Sequence, residues 1–448
     1  MARQLAFSRR QWLGGTLGLS ASLASSRLSP AIARAAQAAA SQGRHCILLW
    51  MAGGPSQLDT FDMKPKHVNG GSLEEAATSV PGVRFAKHLP RLAKQAERLA
   101  ILRGMSTKEG DHGRGTTLMQ TGHIPGGPVN YPASGCTISR ALADDYPSPT
   151  RLEGLPHFVS VAPGPFAQGA VRSGFLGPKY APMSVGGTMP NGPDESFARL
   201  RVDYLQQAAG VSAPRQQSRL KMWNALQDDF LATRRVPNAV AHNTVFQAAI
   251  DLAGSKARDA FDLEQESQQT REAFGSGVFG QGCLLARRLL ERGVPLVEVT
   301  LGSGLGWDTH ADNFNQVERL CGELDQGWAT LMDQLQAVGL LESTTILWAG
   351  EFGRTPVING NAGRDHYPQA FSCVLAGGGV AGGQVYGATS DDGSEVVDGK
   401  SNAQDLLTTL CTAIGVSPAT ENITEEGRPI AIAEGNVIKE VLSADRKT

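Results

Sequence analysis

Carboxylates and histidines recur together in the C-terminal half of this chain, in Gly306-Trp307-Asp308-Thr309-His310, in Gly350-Glu351-Phe352-Gly353-Arg354 and in Arg364-Asp365-His366. Imidazole nitrogen and carboxylate oxygen both donate to divalent cations, and an Asp and a His two residues apart can point at one ion. Glu351 can bind metal, while Arg354 can bind an anion or hold Glu351. His366 can complete the set, with Asp365 as a ligand or as its support. Two earlier stretches carry related chemistry. In Gly53-Gly54-Pro55-Ser56-Gln57-Leu58-Asp59-Thr60-Phe61-Asp62 the glycines permit close backbone approach. Asp59 offers a hard oxygen ligand and Asp62 a second; the plainer alternative is that Asp59 caps a turn. In the stretch from Asp111 to His123 a loop enters a helix that stops at Gly122. Its N-terminus favours an anion, and Arg114 can grip a phosphate or sulfate in two-pronged fashion.

Each motif alone also reads as structure: a hydrogen-bonded Asp–His pair, a Glu–Arg ion pair, a capping loop. Together, Asp59, His112, Asp308, His310, Glu351, Asp365 and His366 gather four carboxylates and three of the nine histidines. Such mixed ligation suits one or two divalent ions (Zn, Mn, Fe, Mg or Ca) better than a thiolate site would. Two ions can hold a phosphate and activate a nucleophile. The six cysteines contain no CxxC pair, which argues against a thiolate zinc site, and no disulfide is assignable.

The elements that must position these groups are continuous apolar runs. Cys46 to Met51, Leu99 to Arg103, Phe158 to Val161, Val294 to Val299, Thr345 to Ala349 and Ser372 to Ala376 read as strands buried on both faces, hence mostly parallel. Helical segments fall between several of them, including Phe314 to Val338 with its apolar 3–4 spacing. Alternating strands and helices predict an α/β fold with one doubly wound sheet, and ligands on such sheets bind beyond the carboxyl ends of the strands. Residues 194–292 are polar and rich in Ala, Gln, Glu, Leu and Arg, which predicts a helical insertion or flank. The Gly- and Pro-rich tract from Pro163 to Pro193 predicts a long ordered loop or lid.

Ser8-Arg9-Arg10-Gln11-Trp12-Leu13 is a twin-arginine pattern, followed by a short apolar run and the cleavage-like Ala33-Arg34-Ala35. Residues 1–35 are therefore expected to be a signal peptide read by the twin-arginine translocase, with a periplasmic or secreted destination. No later apolar run is long enough to cross a membrane. The net charge of −2 shows no basic stripe that would suggest nucleic acid.

The stretches LLWMAGGPSQLDTFDMKP, GFLGPKYAPM (Gly174 to Met183), FGQGCLLARRLLERGVPLVEV (Phe279 to Val299), GWDTH and GEFGRTP…GRDHYP resemble the bacterial secreted family DUF1501. That family is placed with sulfatases and phosphomutases in the alkaline-phosphatase-like superfamily. The resemblance implies a single domain over residues 44–442, with a central, mostly parallel sheet flanked by helices and a metal site at the C-terminal edge of the strands. It implies metal ligation by Asp59, by the pair Asp308 and His310, by Glu351 and by His366. It also places His112 where sulfatases carry their Cys or Ser nucleophile, and Phe352 where a polar ligand is usual. Thr116 or Thr117 could then serve as nucleophile after a shift, His112 could attack or ligate, or a metal-activated hydroxide could attack directly.

The expected function is an exported metal-dependent hydrolase acting on a phosphate or sulfate ester of a small molecule or glycan. Asp59, Asp308, His310, Glu351, Asp365 and His366 would be the metal residues, with His112, Arg114, Thr116 and Arg354 doing the chemistry. The alternative is a non-catalytic glycan-binding protein of the cell envelope on the same fold. An oxidoreductase is disfavoured by the lack of a dinucleotide fingerprint, haem motif or cysteine cluster.

Overall fold

The computed structural model describes residues 44–446 except 167–169, 191–194, 204, 206–209, 235 and 303. The expected export signal lies outside the described residues. Among them, no helix is long and apolar enough to cross a membrane.

One nine-stranded sheet organises the chain. Its strands are β1 (His45–Met51), β2 (Leu99–Met105), β3 (Phe158–Val161), β4 (Met183–Thr188), β5 (Arg199–Arg201), β6 (Leu296–Leu301), β7 (Thr344–Ala349), β10 (Phe371–Gly377) and β11 (Gln384–Tyr386). A small antiparallel ribbon, β8 (Gly353–Arg354) with β9 (His366–Tyr367), lies outside it. The sheet order is β11-β2-β10-β7-β1-β6-β3-β4-β5. Pairing is parallel except where β10 meets β2 and β7, and where β5 meets β4. This is a mixed, mostly parallel α/β sheet flanked by helices, and the apolar runs supply its centre.

β1 is buried at every position because both its faces are covered. Its side chains alternate between two cores. Ile47, Leu49 and Met51 join one apolar cluster, and Cys46, Leu48 and Trp50 join the other. Helices α5 (Val278–Glu291) and α6 (Asn313–Ala337) cover the first face. Helices α2 (Ser134–Asp145) and α7 (Ala403–Ile414) cover the second, with α1 (His112–Thr121) beside α7. Truncating Leu49 to alanine would cost about 2–5 kcal/mol. All six cysteines are buried free thiols, and burial pushes their pKa values up.

Two regions differ from the sequence reading. The end of the 194–292 tract is not a flank: every residue from Phe279 to Leu290 is buried in α5, between the sheet and α6. The rest of that tract contains the edge strand β5 and helices α3 (Ala213–Thr233) and α4 (Pro237–Gly254). Within the tract read as a loop, Met183–Thr188 pairs with β3 as strand β4. Its Ser-Val-Gly-Gly sequence has little strand propensity of its own, so pairing partners rather than side chains make it a strand.

Register decides where the loops emerge. Met51 lies opposite Leu301, and Trp50 opposite Ala349. The segments beginning at Ala52, Gly302 and Gly350 therefore leave the sheet side by side at its carboxyl edge.

Candidate metal centre

These adjacent loops meet through glycine. Gly53 has φ +113°, and a Cβ there would lie 2.5 Å from the backbone nitrogen of Asp308. Only a residue without a side chain lets the β1 loop touch the β6 loop so closely. Gly363 is a second such point, because a Cβ there would collide with the carbonyl of His310. The result carries His112 from the start of α1, Asp308 and His310 from the β6 loop, Glu351 from the β7 loop and His366 from β9 to one place.

Asp308 Oδ1 is the focus. His366 Nε2 and His310 Nε2 each lie 3.1 Å from it, and His112 Nε2 lies 3.3 Å away. Arg354 Nη2 donates to the same oxygen at 2.5 Å. The Nε2 atoms of His310 and His366 are 3.1 Å apart. In each ring the other nitrogen is already engaged. His112 Nδ1 meets Glu351 Oε1 at 2.7 Å, His310 Nδ1 meets Asp365 Oδ1 at 2.7 Å, and His366 Nδ1 meets the Gly110 carbonyl at 2.7 Å. A carbonyl or carboxylate only accepts here, so Nδ1 is the N–H in all three rings and Nε2 carries the lone pair in the neutral form. Outer acceptors that fix the tautomer of a histidine in this way are the usual support of metal-ligating imidazoles.

Two lone pairs facing each other at 3.1 Å repel unless a proton or a cation lies between them. Apart from its 3.3 Å approach to Asp308 Oδ1, the buried His112 Nε2 has no hydrogen-bond partner among the described residues, nor has Glu351 Oε2. His112 Nε2, Asp308 Oδ1 and His366 Nε2 lie within 4.8 Å of one another. Donors of these types, with His310 alongside, fit a borderline divalent ion such as Zn²⁺, Mn²⁺ or Fe²⁺ better than Ca²⁺ or Mg²⁺. Without an ion, His112 and Asp308 favour each other's charged forms. Burial would lower the His112 pKa, but the carboxylates of Asp308 and Glu351 beside it outweigh that and raise it to about 9. Burial would raise Asp308, but the close approach of His112 and His366 and the Arg354 guanidinium hold it far below the usual carboxylate range.

The structure draws other expected residues elsewhere. Asp59 is fully buried and closed off: Arg364 donates to its two oxygens at 2.7 and 3.1 Å, and Asn313 Nδ2 donates at 2.8 Å. It is not brought to the histidines. Asp62 is likewise internal, accepting from Lys64 and Thr389. Glu351 faces His112 and accepts from the Gly53 N–H at 2.8 Å, one residue removed from the focus. Asp365 is 55% exposed and holds His310 from behind. Arg114, expected at an oxyanion, instead grips Glu109 with two donors at 2.7 Å. Arg354 is fully buried, and its guanidinium also donates to the carbonyls of Gly53, Gly54 and Arg364, so it ties three loops together. Thr116 is buried within α1.

Some contributors were not read from the sequence. Asn359 Nδ2 donates to the His310 carbonyl at 3.0 Å and to Asp365 at 3.2 Å. Its place in the Asn359-Gly360-Asn361 turn, six residues before Asp365, was the available signal. The Gly110 carbonyl has no side-chain signature at all. Phe166, 51% exposed, lies almost parallel to the His112 ring with the centroids 6.5 Å apart.

None of the curated proteins compared with the chain matches it. Among solved structures, it overlaps Ps i-CgsB in complex with k-i-k-neocarrahexaose at 11% identity and TM-score 0.42, covering 88% of this chain and 75% of that one. It overlaps the PsFucS1 sulfatase from Pseudoalteromonas sp. at 12% identity and TM-score 0.37, covering 87% and 71%. It overlaps the phosphonate monoester hydrolase SpPMH from Silicibacter pomeroyi at 12% identity and TM-score 0.35, covering 90% and 78%. Overlaps this loose transfer no chemistry. The family match is of another kind, since it extends over residues 43–442, and the chain belongs to the family described as Protein of unknown function (DUF1501).

Proposed function

We propose that this chain is an exported metal-dependent hydrolase of phosphate or sulfate esters. One observation carries the reading: three imidazoles, each fixed through Nδ1 by an outer acceptor, turn Nε2 toward one carboxylate oxygen. His112, Asp308 and His366 would hold the ion, with His310 beside them. Such an ion supplies Lewis acidity, polarising an ester oxygen and making water a better nucleophile. Neutral imidazoles and a single carboxylate leave a divalent charge only partly balanced, which favours an anionic substrate.

The surrounding residues support hydrolysis by water. Among the described residues, the side-chain hydrogen bonds and ion pairs of His112, Asp308, His310 and His366 run to carboxylates, imidazoles, an arginine and a carbonyl, with no hydroxyl or thiol. Glu351 keeps His112 in the tautomer that presents Nε2 and can take up or return its Nδ1 proton. Arg354, held by carbonyls, fixes Asp308 rather than meeting substrate.

A second reading rests on a specific observation. Both arginines expected to clamp an oxyanion, Arg114 and Arg354, are already engaged, as they would be in a glycan-binding protein that keeps the metal group for structure. Protein purified without chelator and supplied with Zn²⁺ or Mn²⁺ should cleave 4-nitrophenyl phosphate or sulfate. The Asp308→Asn variant should lose both metal and turnover. Stoichiometric metal with no cleavage of either ester would overturn hydrolysis and leave the binding reading standing.

A further inference from the structure

Helix α3 stands outside both cores. None of its residues is buried, and it packs chiefly on α4, with Trp223 and Phe246 ring centroids 4.4 Å apart. Leu220, Trp223, Gln227 and Leu231 form a half-buried row. A different row, Met222, Leu226 and Phe230, is 64%, 62% and 41% exposed. Its i, i+4, i+8 spacing makes it one continuous ridge. Arg219, three residues before Met222, and Asp229, three after Leu226, extend the same face, and both are exposed. Neither has an ionic partner among the described residues.

The charges of α3 are segregated. Arg215, Arg219 and Lys221 occupy its N-terminal half, and Asp228 and Asp229 its C-terminal half. We propose that this ridge is the contact face of a homodimer, in which α3 lies antiparallel against α3 of a second copy. A two-fold axis level with Asn224 sets Met222 against Leu226 of the partner subunit, and Arg219 against Asp229 of the partner subunit. Symmetry makes each contact twice, and the face is complementary to itself. Antiparallel packing also opposes the two helix dipoles favourably. The same segregation disfavours an anionic bilayer as occupant, because it would lay the acidic half on lipid phosphates. A 21-residue helix is about 30 Å long, so one helix pair makes a small interface and a micromolar-range dimer. The inference is independent of the metal centre.

Sedimentation velocity on the full chain, from about 1 to about 100 µM, tests it. Wild type should move from monomer to dimer across that range, and Leu226→Asp should stay monomeric. Arg219→Glu and Asp229→Arg should each weaken association about tenfold, because each sets like charges opposite one another. The double variant should recover most of that loss, which only the antiparallel register predicts. All these positions are exposed, and circular dichroism should show unchanged helix content. A wild type that remains monomeric, a Leu226→Asp variant that still dimerises, or a double variant no better than the singles would each overturn the proposal. So would monomeric wild type that sediments with anionic phospholipid vesicles through this ridge.

Discussion

Asp59 and Asp308 both follow central strands at the carboxyl edge of the sheet, and they have opposite surroundings. Asp59 sees one guanidinium and one amide, both fully buried, and every contact is satisfied. Asp308 sees three imidazole nitrogens and a guanidinium on one oxygen, and one of those nitrogens, the buried His112 Nε2, makes no hydrogen bond. Buried Glu298 repeats the Asp59 pattern, held by Arg172 at 2.7 and 2.8 Å. The difference separates framework from site. A carboxylate closed by a two-pronged arginine is charge-neutral and finished, whereas one ringed by imidazoles with fixed Nδ1 protons gathers donor atoms of the kind a cation takes.

Breaking the framework pair should have the largest effect. Arg364→Met leaves Asp59 buried without its counter-ion, and should cost about 3–5 kcal/mol in urea unfolding. Asp308→Asn takes the carboxylate from buried Arg354 but leaves its three carbonyl contacts, so the urea midpoint should fall less than in Arg364→Met, while metal affinity should drop at least about 100-fold, measured by competition with a chelating dye. If the two variants behaved alike in both assays, the separation would collapse. Asp365→Asn is a finer test. The residue is 55% exposed and touches only the back of the site, so fold stability should hold while metal affinity falls about tenfold.

Protonation sharpens the same comparison. His45, in the framework, is lowered by burial to about 4, from an ordinary 6.5. The unfolded chain therefore binds the extra proton more readily, and stability is lost as pH falls from 6.5 toward 4, by about 3 kcal/mol. His112 has the opposite sign. Its pKa is raised above 6.5 to about 9, so in ion-free protein its stabilisation is fully present below pH 6.5 and is lost as pH rises through about 9. Urea midpoints of chelator-treated protein should fall on both sides of neutrality. His112→Gln should remove the alkaline limb and keep the acid one.

The central strands were legible because a parallel sheet covered on both sides demands apolar side chains at every position, as Cys46 to Met51 shows. The meeting of Asp308, His310 and His366 was legible because loops after such strands gather at one edge of the sheet. The role of Asp59 was not, since its partner Arg364 lies 305 residues away and an ion pair between loops leaves no periodic trace. The reversed direction of β10 was equally silent, because a buried strand has the same composition whichever way it runs. Strand β4 left no clear trace because its glycines suit a turn as well as a strand.

The most direct test is titration of ion-free protein with Zn²⁺, followed by calorimetry, for wild type, Asp308→Asn and Asp59→Asn, with folding of each checked by circular dichroism. The account predicts about one ion per chain for wild type and for folded Asp59→Asn, and none for Asp308→Asn. Binding that survives in Asp308→Asn but disappears in folded Asp59→Asn would contradict it.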